Sequence, residues 1–516
     1  MVATLLKVLT TGIQDGRIHS EPTLYPFLKV WYKVGRFTKQ WVRLDFDTLP
    51  EFGRTAITRI QRKGHLCTRL LLVTEMPDIS GIQAAALVAA RAIDASATEV
   101  YPKFGWTNSL GHALVHGLTL DIGGTRLEQL DSRLLEILDE YSTPLEKVTA
   151  VNRLLPRLDN GFGETSFGYS SPTPTVAVTN LPFWFTRGDP GCALPIDAIL
   201  ADEVRIGVTF RGIEGLYYTD SRNVANGGGA LSQDQGTSLW PLLGSSFYYP
   251  DAGGVAVPGL DPANPDATFT QVPGVQIPSR FPMSTTYILA EYIYLDQPEA
   301  SRIRLADIQV PIVQHYAMKP YDTQGLPRAI VELNIPNPTR ELFWMVQRQE
   351  APTYNAHFLA TRDLAAAGDE PIWWPNARGL DARYPGPLLP GFVTSDSEPV
   401  KAVGIVYEGN LVRARTEVPS LFRSVLPSYQ YKKSPWLNRY YYAFSFGVLG
   451  NRTPFSAPRG EANLDKLRKR ELYLEFAPNR GCMNPNDVPA YVVYVYAETY
   501  NVFRVYGGRA GCLFAY

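Results

Sequence analysis

The sequence predicts an all-β chain of two consecutive β-sandwiches, with short helical insertions and long loops. Three observations lead there. The chain has 516 residues, and single hydrophobic cores stop growing near roughly 250–300 residues, so two domains are expected. Aromatic side chains are abundant, with 29 Tyr and 23 Phe, and rings fit a pleated, half-buried surface. Period-two alternation, the signature of a strand with one face buried, recurs in both halves.

In the first half, residues 41–47 alternate Val42, Leu44 and Phe46 with Arg43, Asp45 and Asp47. Residues 66–73 are apolar on both faces, as in a covered strand. Leu127, Leu130, Leu134 and Ile137 recur at three- and four-residue spacing, which predicts one helix face. A second helix is expected from Thr143-Pro144-Leu145-Glu146, a capping box with Pro at the first helical position. Its inward face would carry Leu145, Val148, Val151 and Leu155. Strands are predicted at 113–120, 173–178 and 202–210. Residues 221–284 are dense in Gly and Pro and are read as a linker carrying a long ordered or semi-ordered loop. The second half is predicted to begin with a strand at 287–295. Further strands are expected at 329–335, 342–347, 403–407, 440–446, 471–476 and 491–506, with a loop-rich excursion at 350–399. Short strands between turn-rich loops in both halves give two β-sandwiches.

Composition excludes several function classes. Lys and Arg number 49 against 50 Asp and Glu, so the basic excess of a phosphate-tracking protein is missing. Direct nucleic-acid contact is therefore not expected. The short basic runs at Lys432-Lys433 and 466–470 are balanced by Glu461, Asp465 and Glu471 and read as solvated surface. Cys67, Cys192, Cys482 and Cys512 fit neither a zinc site nor a disulfide framework and are read as reduced thiols. Neither a secretory leader nor a run of about 20 apolar residues occurs, so no membrane span is predicted.

Catalytic and cofactor motifs are not found. His112 and His116 lack the carboxylate of an H-E-x-x-H pair and lie on a predicted strand, so they are read as ordinary polar or buried histidines. Gly161, Gly163 and Gly168 do not have dinucleotide-binding spacing. P-loop and nucleophile-elbow signatures do not occur. A β-sandwich could host a carboxylate pair for glycoside hydrolysis, but nothing singles one out. Asn451-Arg452-Thr453 is an acceptor sequon without the secretory context that would use it. No catalytic, cofactor or metal residue is assigned, and the chain is expected not to be an enzyme.

Several blocks, in order along the chain, together form a pattern. They begin with Thr11-Gly12-Ile13-Gln14-Asp15, Pro26-Phe27 and Lys29-Val30. They continue with Phe52-Gly53-Arg54, Ile60-Gln61-Arg62-Lys63-Gly64-His65-Leu66 and Asn108-Ser109-Leu110-Gly111-His112-Ala113-Leu114. Leu120-Asp121-Ile122-Gly123-Gly124, Leu181-Pro182-Phe183-Trp184-Phe185, Ala193-Leu194-Pro195 and Glu203-Val204-Arg205-Ile206 follow. In the second half the resemblance is carried by Glu291-Tyr292-Ile293-Tyr294-Leu295-Asp296, 340–347, 440–446, Tyr496-Ala497, Tyr500-Asn501-Val502 and Arg504. In this order the blocks resemble the double jelly-roll major capsid proteins of large nucleocytoplasmic DNA viruses. Asn337 stands where the family often carries a histidine before proline, which marks a divergent member.

The resemblance implies two eight-stranded jelly rolls, 23–220 and 285–516, after an N-terminal arm (1–22) and separated by the loop insertion (221–284). It implies a major capsid (hexon) protein forming pseudo-hexagonal homotrimeric capsomers, which tile the icosahedral shell of a large double-stranded DNA virus. The implied partners are the chain itself, neighbouring capsomers, and penton and minor capsid proteins on the inner face, the last reached by the arm. The implied location is the outer icosahedral capsid of the virion, assembled in the host cytoplasm. The aromatic, low-charge stretch 238–251, with Trp240, Phe247, Tyr248 and Tyr249, would suit trimer contacts. The alternatives left open are a minor capsid paralogue of the same fold and a carbohydrate-binding β-sandwich protein.

Overall fold

The computed structural model describes residues 34–77, 88, 91–92, 104–107, 109–157, 176–219, 246–256, 266, 268–273, 283, 285–349, 352, 357–358, 360, 398–407, 411–416, 418–428, 431, 433–435, 439–447, 460–477, 488 and 490–514. Alternation of buried and exposed side chains makes most of its strands. In Thr55–Arg59 the pattern is strict, with Ala56 and Thr58 buried.

Eight strands build the first unit: β1 (Phe37–Leu44), β2 (Thr55–Arg59), β3 (Leu66–Glu75), β4 (Val115–Ile122), β5 (Thr125–Asp131), β6 (Val176–Asn180), β7 (Val204–Phe210) and β8 (Tyr287–Leu295). They form two antiparallel sheets in the orders β1-β8-β3-β6 and β2-β7-β4-β5. The last strand enters between the first and the third, which is jelly-roll winding. The second unit repeats it with β9 (Ile308–Ala317), β10 (Arg328–Glu332), β11 (Thr339–Arg348), β12 (Val400–Tyr407), β13 (Leu411–Thr416), β14 (Tyr441–Ser445), β15 (Arg470–Phe476) and β16 (Tyr491–Tyr506). Its sheet orders are β9-β16-β11-β14 and β10-β15-β12-β13. Each is the first unit's order shifted by eight, so the chain is a double jelly roll.

Tight turns hold the ladders in register. Gly123 and Gly124 join β4 to β5 with φ of +58° and +84°, and Gly507 and Gly508 join β16 to the short strand Arg509–Cys512 with +57° and +80°. Two consecutive positive φ angles make the two-residue turn that matches strand twist.

Helices that interrupt the first unit or join the two include α1 (Leu110–Leu114), α2 (Ser132–Ser142), α3 (Val148–Leu154) and α4 (Gln297–Leu305). Asp131 caps α2 by accepting a hydrogen bond from the Leu134 backbone N–H at 2.8 Å. Leu134, Leu135, Ile137, Leu138 and Tyr141 then face inward. Asp296 caps α4 by accepting from the backbone N–H of the next residue, Gln297, at 2.9 Å, and α4 leads from β8 to β9.

The structure corrects four expectations. Strand 287–295 does not open the second unit: it pairs with β1 and β3 as β8 and closes the first. The boundary expected at 285 therefore cuts the first roll, because a jelly roll's last strand returns to its first across the whole domain. Leu127 and Leu130 lie on β5, and only Leu134 and Ile137 lie on α2; their helical spacing spans a strand–helix junction. The segment after Thr143 begins as a 3-10 turn (Leu145–Lys147) without a side-chain cap, and Leu145 is 64% exposed. Residues 113–114 finish α1 before β4 begins. Within the stretch 221–284, read as a linker carrying an ordered or semi-ordered loop, strand Ser246–Ala256 pairs with Thr268–Pro273.

Strand 491–506 matches its predicted bounds, whereas β9 and α4 were not anticipated. The arm 1–22, Trp240, most of 350–399, Asn451 and Cys482 lie outside the described residues.

Candidate functional site: the charged seam between the two jelly rolls

The sheet β9-β16-β11-β14 has two apolar faces. Leu342, Trp344, Val346, Val493, Val495 and Ala497 point into the second core. Phe343, Met345 and Tyr496, from the alternating positions, join the core of the first roll. Strands buried on both faces read as continuous apolar runs, and β11 is buried at every position. The first roll therefore sits directly on the outward face of this sheet.

β5, α2 and the 3-10 turn Trp184–Thr186 supply that contact. Tyr496 donates its hydroxyl hydrogen to Asp131 at 2.6 Å, and Tyr141 donates to the Tyr441 carbonyl at 2.8 Å. The Arg133 guanidinium lies 4.1 Å from the centre of the Tyr494 ring and donates to Gln347. Trp184 packs on Phe503 with ring centres 4.7 Å apart.

Two ionic nodes are sealed into this seam. In the first, His315 of β9 lies between two carboxylates. Its Nδ1 is 2.8 Å from Glu128 Oε1 of the first roll, and its Nε2 is 3.4 Å from Glu498 Oε1 of β16. Arg187 of the first roll pairs with Glu498. Arg340 lies 3.4 Å from Glu341 and 3.8 Å from Glu498, and Tyr431 donates to Glu341. Burial and Arg187 oppose a charge on His315, but the Glu128 and Glu498 carboxylates outweigh them and raise its pKa. Burial also opposes ionisation of Glu498, yet Arg187, His315 and Arg340 hold it well below the carboxylate range. Glu341 moves the other way, raised by burial and by the charge on Glu498. Opposite shifts on adjacent carboxylates follow from charge competition in one dry site.

The second node centres on Glu136 of α2. It accepts from Ser109 at 3.0 Å, Arg157 at 2.7 Å and Arg439 at 3.0 Å, and lies 2.5 Å from His112 Nδ1. Glu140, one turn on, lies 2.9 Å from Lys433 and 3.2 Å from Arg157. Asp139 accepts from the same Arg157 nitrogen, Nη1, at 2.7 Å. Arg439 and Lys433 come from the second half of the chain, so this node also ties the two rolls together. Burial works against the Glu136 charge, and Arg157, His112 and Arg439 prevail and hold its pKa well below normal.

These groups have no route to a solute: Glu136, Glu128, Glu498 and His315 side chains are 0% exposed. Their chemistry is adhesion and register between the rolls. His112 and His116, considered together in the sequence, part here. His112 is buried beside Glu136, while His116 lies on β4 facing outward. Cys67, Cys192 and Cys512 are free thiols. Among the described residues no group of three or more His, Cys, Asp or Glu is arranged to hold a metal ion. No helix among them is long and apolar enough to cross a membrane.

Sequence reasoning missed both nodes. Glu136 and Arg439 are 303 positions apart, and no local spacing signals such a contact. The one available signal was the charge on α2: Glu136 and Glu140 share the helix with its buried apolar residues.

Comparison with known proteins agrees with this architecture. Residues 26–243 match the family described as the major capsid protein N-terminus, and residues 304–511 match the large eukaryotic DNA virus major capsid protein family. The major capsid protein of Rana tigrina ranavirus is 22% identical over 517 aligned residues, covering 95% of this chain and 93% of its own. Probable capsid protein 4 of Acanthamoeba polyphaga mimivirus is 24% identical over 221 residues, or 42% of this chain. The chain spans 39% and 36% of the lengths of two mimivirus relatives that it matches. PBCV-1 VP54, in a crystal structure fitted into a reconstruction of the virophage Sputnik, superposes with a TM-score of 0.61 at 17% identity. That superposition covers 95% of this chain and 100% of VP54, and at such identity it speaks for the fold. The two family matches and the doubled jelly roll together place this chain in the major capsid protein family of large eukaryotic DNA viruses.

Proposed function

We propose that this chain is the major capsid building block of a large double-stranded DNA virus, and that it acts as a homotrimer with a pseudo-hexagonal outline. The repetition of one strand order in two rolls carries this reading. Three chains, each with two similar walls rigidly joined, make six similar walls, and a near-hexagon tiles a closed surface with repeated contacts. The sealed seam supports it, because a shell tile must not flex between its halves.

We take the first roll to run through Leu295 and the second to begin at Ile308, with α4 between them. Neighbouring capsomers, penton and minor capsid proteins are the proposed partners, the outer shell of the virion the proposed location, and the host cytoplasm the site of assembly. The arm 1–22 is the proposed contact to the inner face. The ionisable clusters described above are shut off from solutes, which favours a structural role over an enzymatic one.

Light scattering on the purified protein tests the reading. A stable species of about 170 kDa, three chains of 57.4 kDa, is expected, as a closed three-fold ring requires. A lone 57.4 kDa chain under assembly conditions would overturn the trimer.

A further inference from the structure

In the two nodes of the seam the buried arginines have acids beside them. Arg157 and Arg439 pair with Glu136 and Glu140, and Arg187 and Arg340 lie against Glu498. A further basic group in the same seam is built differently. Arg133 lies at the start of α2, Arg211 follows β7, His116 lies on β4, and His357 comes from the second half of the chain.

A closed run of contacts assembles it. Arg133 donates from Nε and Nη2 to the Gln347 side-chain oxygen at 3.3 and 3.1 Å, and the Gln347 amide donates to the His357 carbonyl at 3.1 Å. His357 Nε2–H donates to the Gly215 carbonyl at 2.7 Å. A Cβ on Gly215 would meet Arg211 Cδ at 2.8 Å, so glycine lets that arginine lie against the backbone. Arg211 then donates from Nε to the Ala113 carbonyl at 2.8 Å and from Nη2 to the hydroxyl of Ser132, the neighbour of Arg133, at 3.2 Å.

Each of these acceptors is uncharged. The acid that acts on the group is Asp131. Its Oδ1 is engaged by the Leu134 N–H and its Oδ2 by the Tyr496 hydroxyl. The shortage of acid shows in the basic groups themselves. Burial and the Arg133 charge push Arg211 down to about 10. Burial, then Arg211 and Arg133, lower His116. Burial and Arg211 lead in holding His357 well below its ordinary value, and its buried Nδ1 has no hydrogen-bond partner.

Charges withdrawn from water are paired, or they destabilise the fold. Both guanidinia here are half-buried. Each has more donors than its contacts use, and the planar fork matches the oxygens of a phosphoryl group. Among the described residues, Nη1 of Arg133 and of Arg211 has no protein acceptor. His116 is exposed, so this group is open to solvent, whereas the acid-filled nodes are sealed.

We propose that Arg133, Arg211 and His116 form a binding site for a small phosphoryl dianion, which completes the charge balance of the seam. The shared chemistry is that of inorganic phosphate and of the terminal phosphate of a nucleotide. Gln347 and His357 act as positioning residues, Gln347 by holding Arg133 and His357 by holding Gly215 against Arg211. Because both come from the second half of the chain, the bound ion ties that half to the first roll.

The test is calorimetric titration of inorganic phosphate into the full chain, against chloride at matched ionic strength, with circular dichroism as a check of folding. Wild type should bind saturably, one ion per chain. Arg133→Gln and Arg211→Gln should each weaken binding by roughly tenfold or more, the scale of one hydrogen bond to a charged group. Arg133→Lys should recover part of that loss. His116→Glu, at an exposed position, supplies the missing acid from within the chain and should abolish binding with the fold intact. It keeps the test open even where an arginine variant does not fold. Arg126→Gln, an exposed residue of β5 paired with Asp121, makes the same change of charge and should bind as wild type does. Titration with AMP separates the two sources. Binding as tight as that of phosphate assigns the site to a nucleotide and no binding assigns it to the free ion, and either result leaves the site standing. Folded wild type without saturable phosphate binding, or binding that His116→Glu leaves intact, overturns it. Neither of those results bears on the homotrimer proposed above.

Discussion

Replacing Glu136 by Gln should destabilise the protein more than any surface charge change of the same kind. The substitution keeps the shape and removes the charge. Arg157, Arg439 and Lys433 are then left with Glu140 and Asp139, one carboxylate short, at side-chain exposures of 1%, 4% and 4%. The new amide also turns N–H donors toward groups that are themselves donors. Removing one partner of a buried ion pair costs about 3–5 kcal/mol, because the remaining charge stays in a poor solvent. With a urea slope of about 2–3 kcal/mol per molar, the unfolding midpoint should fall by roughly 1–2 M. The assay is urea unfolding followed by tryptophan fluorescence, beside Glu203→Gln, whose carboxylate pairs with Arg205 and Arg59 at the surface. That control should leave the midpoint where it was. Glu136→Met with Arg439→Met removes one charge of each sign and should be less harmful than Glu136→Gln alone. Equal midpoints for Glu136→Gln and Glu203→Gln would refute the claim that the seam is held by its buried charges.

Three further outcomes follow from the same geometry. The raised pKa of His315 means that its stabilisation is complete below the unfolded value of about 6.5 and is lost as pH rises through the folded value. The stability gap between wild type and His315→Gln should therefore be widest in mild acid and narrow toward alkaline pH; a gap that widens upward contradicts the node. Burial pushes the Cys67 thiol up to about 12, so iodoacetamide should leave it unmodified in native protein at neutral pH and label it in urea. Trp344 is fully buried and stacks on Tyr442 at 5.8 Å; Trp344→Ala should cost about 3–5 kcal/mol in unfolding stability.

Much of this architecture was legible in the sequence. Strand 491–506 stood out because its long β-branched and aromatic run has little helical competition. The doubling followed from length and the recurrence of strand patterns. The position of β8 was not legible, because it comes after a long Gly/Pro-rich stretch and pairs with β1 about 250 positions earlier. Proximity in sequence favoured the wrong roll. β9 was hidden by Pro311 and by Gln314 and His315, polar residues buried in the seam rather than exposed. Leu127 and Leu130 mimicked a helix because β5 runs directly into α2. The ionic nodes were illegible for the same reason as β8: their members meet only after both rolls have folded and docked.

Electron microscopy of the purified protein tests the central claim most directly. Two jelly rolls per chain, joined by a rigid seam and tripled, predict class averages of one particle with three-fold symmetry and six similar lobes. Averages showing two lobes, or an open chain of lobes without closure, would contradict it.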